Sequence, residues 1–185
     1  MTDDQLYQAF LAGDASAGDQ LMIRYADTLT AYLDAFLHNV QDAEDLMLDC
    51  FTVILVDKPR IAEGHFSAYL FKVARNKANG LWKRRFRQQE FQLDETLYEV
   101  IPAKGKSQEE QLYEKERDVI LQKCLGKIAP QYREALWLFY FMDMSYAEAA
   151  NVMRCSVKRV EDLLKNGKAR LKLELEKEGF TYADI

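Results

Sequence analysis

The chain is expected to be all-α: two small helical domains joined by a flexible linker, the C-terminal one a helix-turn-helix. Three observations carry this expectation. Gly and Pro are scarce, at 8 and 3 of 185 residues, while helix formers dominate and alternating β-branched runs are few. Apolar residues recur at three- and four-residue intervals through most of the chain. The periodicity fades only between residues 88 and 108, where the run IPAKGKS at 101–107 has linker composition. These features divide the chain into 1–90, a linker at 91–108, and 109–185.

Residues 6–11 look like the start of a helix, interrupted near Gly13. Residues 19–37 are amphipathic, with Leu21, Tyr25, Leu29, Tyr32, Leu33 and Phe36 at helical spacing. Asp42 can cap a further helix, with Glu44 and Asp45 favourable in its first turn. That helix runs through Phe51 to about Val56, and Lys58-Pro59 ends it, since the residue before proline avoids helical angles. After a loop at 57–65, the spacing predicts a long helix over 66–87. Phe66, Leu70, Val73, Lys77 and Leu81 would form its core stripe; Lys72, Arg75, Asn79 and Lys83 would face out, with Trp82 and Phe86 beside them.

Helical pattern resumes over 109–125. Pro130 fits the first turn of the next helix, which includes Leu136, Phe139 and Tyr140. Ser145-Tyr146-Ala147-Glu148 is a capping-box sequence. Ser156 then caps a last helix extending to about Lys177, with Val160, Leu164 and Leu171 inward.

With 49% hydrophobic and 30% charged residues, the chain can bury a core and is not a disordered tail. Its net charge of -5 is unevenly spread. Acidic residues crowd the first seventy positions, whereas from His65 to Gln89 there is no Asp or Glu. Lys72, Arg75, Lys77, Lys83, Arg84, Arg85 and Arg87 lie in that stretch. Local field, not net charge, governs attraction of phosphate over a Debye length of roughly 8–10 Å. Cys50, Cys124 and Cys155 are far apart and form no CxxC pair, and His38 and His65 are not at ligand spacing from them. Free thiols and no metal are therefore expected. The acidic N-terminus lacks a signal pattern and no apolar run is long enough for a membrane span, so a cytoplasmic protein without membrane contact is expected.

The stretch 145–171 has the form of a helix-turn-helix, a device for laying a helix in the major groove of DNA. Lys158, Arg159 and Asp162 stand near the start of its second helix, where such readers touch base edges; Lys165, Lys168 and Arg170 suit phosphates. The plainer reading is a solvated helix of mixed charge, and Glu161 and Asp162 favour it because carboxylates repel phosphate. In the upstream segment, Lys72, Arg75, Asn79 and Lys83, with Trp82 and Phe86 beside them, lie in a stretch without acidic residues, which suits single-stranded or melted DNA if the aromatics stack on bases. Trp82 reads equally well as core. The acidic start Asp42-Ala43-Glu44-Asp45 is sufficiently explained by the helix dipole. No nucleophile–base set, Gly-rich phosphate loop or paired carboxylates stand out, so neither catalysis nor a cofactor is expected.

Taken in order, these segments resemble bacterial RNA polymerase sigma factors of the extracytoplasmic-function (ECF) type. DAEDLMLDCF is similar to the family's region 2.2, and FSAYLFKVARNKANGLWKRR to regions 2.3 and 2.4. IAPQYREALWLFYFMDMSYAEAANVM followed by SVKRVEDLLKNGKARL resembles region 4. The resemblance implies a non-enzymatic promoter-specificity subunit. Region 2 would bind the clamp helices of the polymerase's largest subunit and melt and read the -10 element. Region 4 would bind the flap of the second-largest subunit and read the -35 element. Asp42, Glu44, Asp45 and Phe51 would fall in the polymerase-binding helix. Arg75, Asn76, Lys83 and Arg84 would fall on the -10 side, and Lys158, Arg159, Asp162 and Lys165 on the -35 side. An anti-sigma factor is a further partner that the family often has.

The chain departs from the family pattern at several positions. Leu48 replaces a common Gln, Gly80 a frequent Asp, and Arg154 the usual turn Gly. Glu161, Asp162, Asn166 and Gly167 stand where Lys, Ser, Arg and Ala are favoured. Two other readings of the residues are a stand-alone helix-turn-helix regulator and a helical adaptor that binds protein and no DNA.

Overall fold

Eight helices account for the regular structure that the computed structural model describes, which covers residues 1–88 and 119–180. The linker expected at 91–108 and the helical pattern expected at 109–118 lie outside the described residues. Contacts divide the described residues into two units, one holding 1–88 and 147–155, the other 119–146 and 156–180.

In the first unit, α1 (Asp3–Leu11) starts with a capping box: the Thr2 hydroxyl accepts from the Gln5 amide, and the Gln5 side chain accepts from the Thr2 amide. It therefore begins three residues before the periodicity suggested. Gly13, at φ +109, supplies the left-handed turn into α2 (Ala15–Leu37), which Asp14 caps. His38 closes α2 in the left-handed region. Asn39, rather than Asp42, caps α3 (Val40–Asp57): its side chain accepts from the Asp42 amide at 3.0 Å. Asp42 is thus the third helical residue, where a carboxylate still meets the positive end of the dipole. Lys58, at φ 45 before Pro59, ends α3 as expected.

Helix α4 (Phe66–Gln88) crosses α1, α2 and α3. Its buried stripe is Phe66, Ala68, Leu70, Phe71, Ala74 and Ala78. This corrects the expected stripe, since Val73, Lys77 and Leu81 are only half-buried. Tyr7 and Tyr25 pack on the Phe66 ring and Tyr32 meets Phe71 edge-on. Around these rings Leu6, Leu21, Leu29, Leu33, Phe51 and Ile54 are fully buried. Two polar ties secure α1 to the loop before α4. The Tyr7 hydroxyl donates to the Pro59 carbonyl at 2.6 Å, and the Asp4 carboxylate accepts from the Gly64 amide at 2.8 Å. Also in this unit is α7 (Tyr146–Met153) from Ala147 onward.

In the second unit, the described part of α5 (119–127) leads through Ile128 into α6 (Pro130–Leu136), with proline at its first position as expected. Helix α6 then widens into a π-type turn over Trp137–Phe141. Arg133 and Glu134 are buried; the Arg133 guanidinium donates to the carbonyls of Gly126 (3.1 Å) and Ile128 (3.4 Å) at the end of α5. Ser156 caps α8 (Val157–Lys177), accepting from the Arg159 amide at 3.2 Å. The buried stripe of α8 is Val160, Leu163, Leu164, Gly167 and Leu175, against which α6 packs. Leu171, expected inward, is half-buried.

Candidate nucleic-acid interface

At 100° per residue, Lys158, Asp162 and Lys165 fall within one narrow arc of α8, opposite Val160, Leu163, Leu164 and Gly167. All three are exposed, as are Glu161, Asn166, Lys168 and Arg170. The buried stripe therefore orients the helix, and packing leaves the expected base-reading residues facing solvent. Arg159 is exposed on the flank of this face, and its Nη2 donates to Gln131 Oε1 of α6 at 3.4 Å. Lys168 Nζ stands 5.0 Å over the Tyr140 ring, a cation–π contact that draws it beside the π-type turn.

Two departures from the family pattern have a local explanation. Arg154, ahead of α8, adopts φ 53, the left-handed conformation that glycine takes freely. The turn is kept and the arginine bears the strain. Gly167 lies where α8 presses on α6: a Cβ there would stand 3.3 Å from the Tyr132 Cβ and 3.4 Å from Leu136 Cγ and Cδ1. Glycine is used for close approach, which sequence reasoning missed because a helical glycine alone signals only lost propensity.

In the first unit, the arc of α4 farthest from its buried stripe holds Lys72, Asn76, Asn79 and Lys83, while Arg75 lies at the margin of the stripe, between Phe71 and Ala68. Asn76, Lys83 and Arg84 are exposed; Lys72, Arg75 and Asn79 are half-buried. Lys72 Nζ donates to Asn151 Oδ1 at 2.8 Å. Lys77, outside this arc, pairs with Asp49 of α3 at 3.2 Å. The side chains of Trp82 and Phe86 lie outside the described residues.

On α3, Glu44 and Asp45 are exposed and Asp42 is half-buried. Phe51 is fully buried, so it presents no surface to a partner. This corrects its place among the polymerase-facing residues: it can serve only by holding α3 in the core. Leu48, 50% exposed, continues the Glu44–Asp45 face one turn on. Burial pushes the Cys50 thiol up to about 12. Among the described residues there is no His, Cys, Asp or Glu cluster able to hold a metal ion, and no helix long and apolar enough to cross a membrane.

Comparison with known proteins ties the two units together. Residues 21–90 match the model for sigma-70 region 2, and residues 118–171 that for sigma-70 region 4. RNA polymerase sigma factor CnrH of Cupriavidus metallidurans is 31% identical over 175 residues, covering 88% of this chain and 87% of that protein. ECF RNA polymerase sigma factor SigM of Bacillus subtilis is 25% identical over 83% of this chain and 92% of its own. ECF RNA polymerase sigma factor BldN of Streptomyces coelicolor is 28% identical over 80% of this chain, which spans 56% of BldN. Among solved structures, CnrH in complex with the cytosolic domain of CnrY superposes with a TM-score of 0.65 at 25% identity, covering 95% of this chain and 97% of that one. The sigma factor RpoE from Bartonella quintana, in complex with the anti-sigma factor NepR, shares the fold at a TM-score of 0.69 and 22% identity, over 85% of this chain and 96% of that one. With region 2 and region 4 matched in order and a relative aligned over most of both lengths, this chain belongs to the ECF family of RNA polymerase sigma factors.

Proposed function

We propose that this chain directs core RNA polymerase to promoters by engaging DNA at two places, without catalysing a reaction itself. Helix α8 enters the major groove of a -35 element, with Lys158, Arg159 and Asp162 at base edges and Lys165 at the phosphates. The Asn76–Lys83–Arg84 face of α4, with Lys72, Arg75, Asn79 and Trp82, takes the -10 element. The exposed Glu44–Asp45 edge of α3 meets the clamp helices of the largest subunit, and the 109–185 domain meets the flap of the second-largest. The 1–90 and 109–185 domains act in the cytoplasm, on either side of the 91–108 linker. The single observation that carries this reading is the placement of Lys158, Asp162 and Lys165 on the solvent arc of α8, opposite its buried stripe.

Each DNA contact is weak alone. Held on one polymerase, both are made at high effective concentration, so affinity appears only in the complex. This fits a chain of net charge -5. An anti-sigma protein, such as the solved relative RpoE carries, is a natural antagonist.

The test is co-elution with bacterial core RNA polymerase on size exclusion. A stoichiometric complex is expected from the unaltered chain, and its loss from the Glu44→Lys/Asp45→Lys chain with the melting temperature unchanged. Phe51 is unsuited to the test, because truncating a fully buried Phe costs about 3–5 kcal/mol of fold stability and removes binding indirectly. Failure of the unaltered chain to bind a core enzyme that accepts another sigma factor would overturn the reading.

A further inference from the structure

We propose that Gln131 of α6 is a positioning residue that aims Arg159 and thereby sets the base preference of α8 at one base pair. The inference rests on the DNA-binding reading of α8 and deepens it. Arg159 lies on the flank of the exposed arc, on the side facing α6, and its Nη2 reaches Gln131 Oε1 at 3.4 Å. Both residues are exposed. Among the described residues, Gln131 is the side-chain partner that the guanidinium has. A guanidinium only donates, so the amide must turn its oxygen toward it.

The packing of the two helices brings these side chains together. Pro130 occupies the first position of α6 and Gln131 the second, so the side chain leaves a rigid first turn. Two turns further along α8, Gly167 sits against Tyr132 and Leu136. A close approach without an intervening side chain sets the helix register, and the same register carries Gln131 to Arg159. One N–H of the guanidinium is occupied and, among the described residues, its other donors meet no partner, enough for the two-donor fork that matches guanine O6 and N7. A neutral acceptor suits this task. It orients the cation without cancelling its charge, whereas a carboxylate at 131 would repel the DNA backbone.

A residue that only touched phosphate would change affinity equally for all sequences; one that aims a base-reading arginine changes preference at one position. The experiment selects duplexes from a randomised library with the full chain bound to core polymerase, followed by sequencing, for the unaltered chain and for Arg159→Ala, Gln131→Ala, Gln131→Glu and the double alanine variant. The unaltered chain is expected to prefer guanine at one position, and Arg159→Ala to lose roughly ten-fold of that discrimination. Gln131→Ala should lose most of it at the same position only, and the double variant should match Arg159→Ala. Gln131→Glu keeps the acceptor, so it should retain the preference while binding every sequence more weakly. A uniform affinity loss in Gln131→Ala, an unchanged profile, or additive losses in the double variant would overturn the positioning role and leave the DNA reading standing. An unchanged profile for Arg159→Ala, or no sequence selected at all, would overturn the proposal at its base, in the second case together with the DNA reading.

Discussion

Arg154 and Gly167 are mirror cases of a residue set against its backbone. Arg154 holds a left-handed φ of 53 where glycine would be free. A non-glycine residue there costs roughly 1–2 kcal/mol, less the 0.5–1 kcal/mol of extra chain entropy that glycine carries into the unfolded state. Arg154→Gly should therefore raise unfolding free energy by about 0.5–1 kcal/mol, whereas Arg154→Ala, which removes the same charge but not the strain, should not; urea denaturation of both variants measures this. At Gly167, propensity alone promises about 1 kcal/mol for Ala. The neighbour that would have to yield is the Tyr132 Cβ, 3.3 Å away and anchored to the α6 backbone. Gly167→Ala should thus show no net gain, and Gly167→Val a loss of about 1–3 kcal/mol. A full 1 kcal/mol gain for Ala would mean that α6 moves away at little cost.

At the scale of elements, α5 and α8 are tied at their ends by charge. Glu178, just past α8, accepts from Lys127 at 2.7 Å and Lys123 at 3.0 Å. The hydrogen bond from Lys127, then that from Lys123, holds the Glu178 carboxyl below its usual 4.5, and the same Glu178 bond raises Lys127 above 10.5. A depressed carboxylate stabilises the fold fully above its unfolded value, and that contribution disappears as pH falls through the lower folded value. The raised Lys127 contributes fully below 10.5 and loses its contribution as pH climbs through its folded value. The stability difference between the unaltered chain and Glu178→Gln should accordingly be flat between about pH 6 and 9 and close at either extreme; thermal melts across pH would read it. These groups are exposed, so the plateau is small and shrinks with salt. The boundaries of α3 at Lys58 and α8 at Ser156 could be read in the sequence because proline and hydroxyl caps act locally. The buried stripe of α4 could not. Its core positions include Ala68, Ala74 and Ala78, whose small side chains carry little hydrophobic signal, so Val73 and Leu81 drew the stripe off its true face. The Asn39 cap was hidden for a similar reason, since Asp42 three residues on offered an equally good oxygen. Resemblance reports that Phe51 belongs to the polymerase-binding helix, not that its side of the helix faces the core.

For the molecule as a whole, the question is how a chain of net charge -5 binds a polyanion. Exposed cations of the two proposed DNA faces are Lys83 and Arg84 on α4, in a stretch without Asp or Glu, and Lys158, Arg159 and Lys165 on α8, interleaved with Glu161 and Asp162. Acidic surface elsewhere, including Glu44 and Asp45, is spent on the proposed polymerase contact and opposes DNA binding by the free chain. Salt dependence separates these roles. Each phosphate neutralised releases condensed counterions, so the slope of log K against log salt changes by about 0.9 per contact on duplex and about 0.7 on single strands. With core polymerase bound and a DNA selected by that complex, Lys165→Ala should make the slope shallower by about 0.9, and Lys83→Ala by about 0.7. Asp162→Ala should leave the slope unchanged and alter base preference alone. The free chain should show weak binding whatever the variant. A Lys83→Ala slope equal to that of the unaltered complex would remove α4 from the DNA contact, and an unchanged Lys165→Ala slope would remove that phosphate contact from α8. If instead the free chain bound as tightly as the complex, the two faces would be acting without the polymerase, and the division of labour between acidic and basic surface would have to be abandoned.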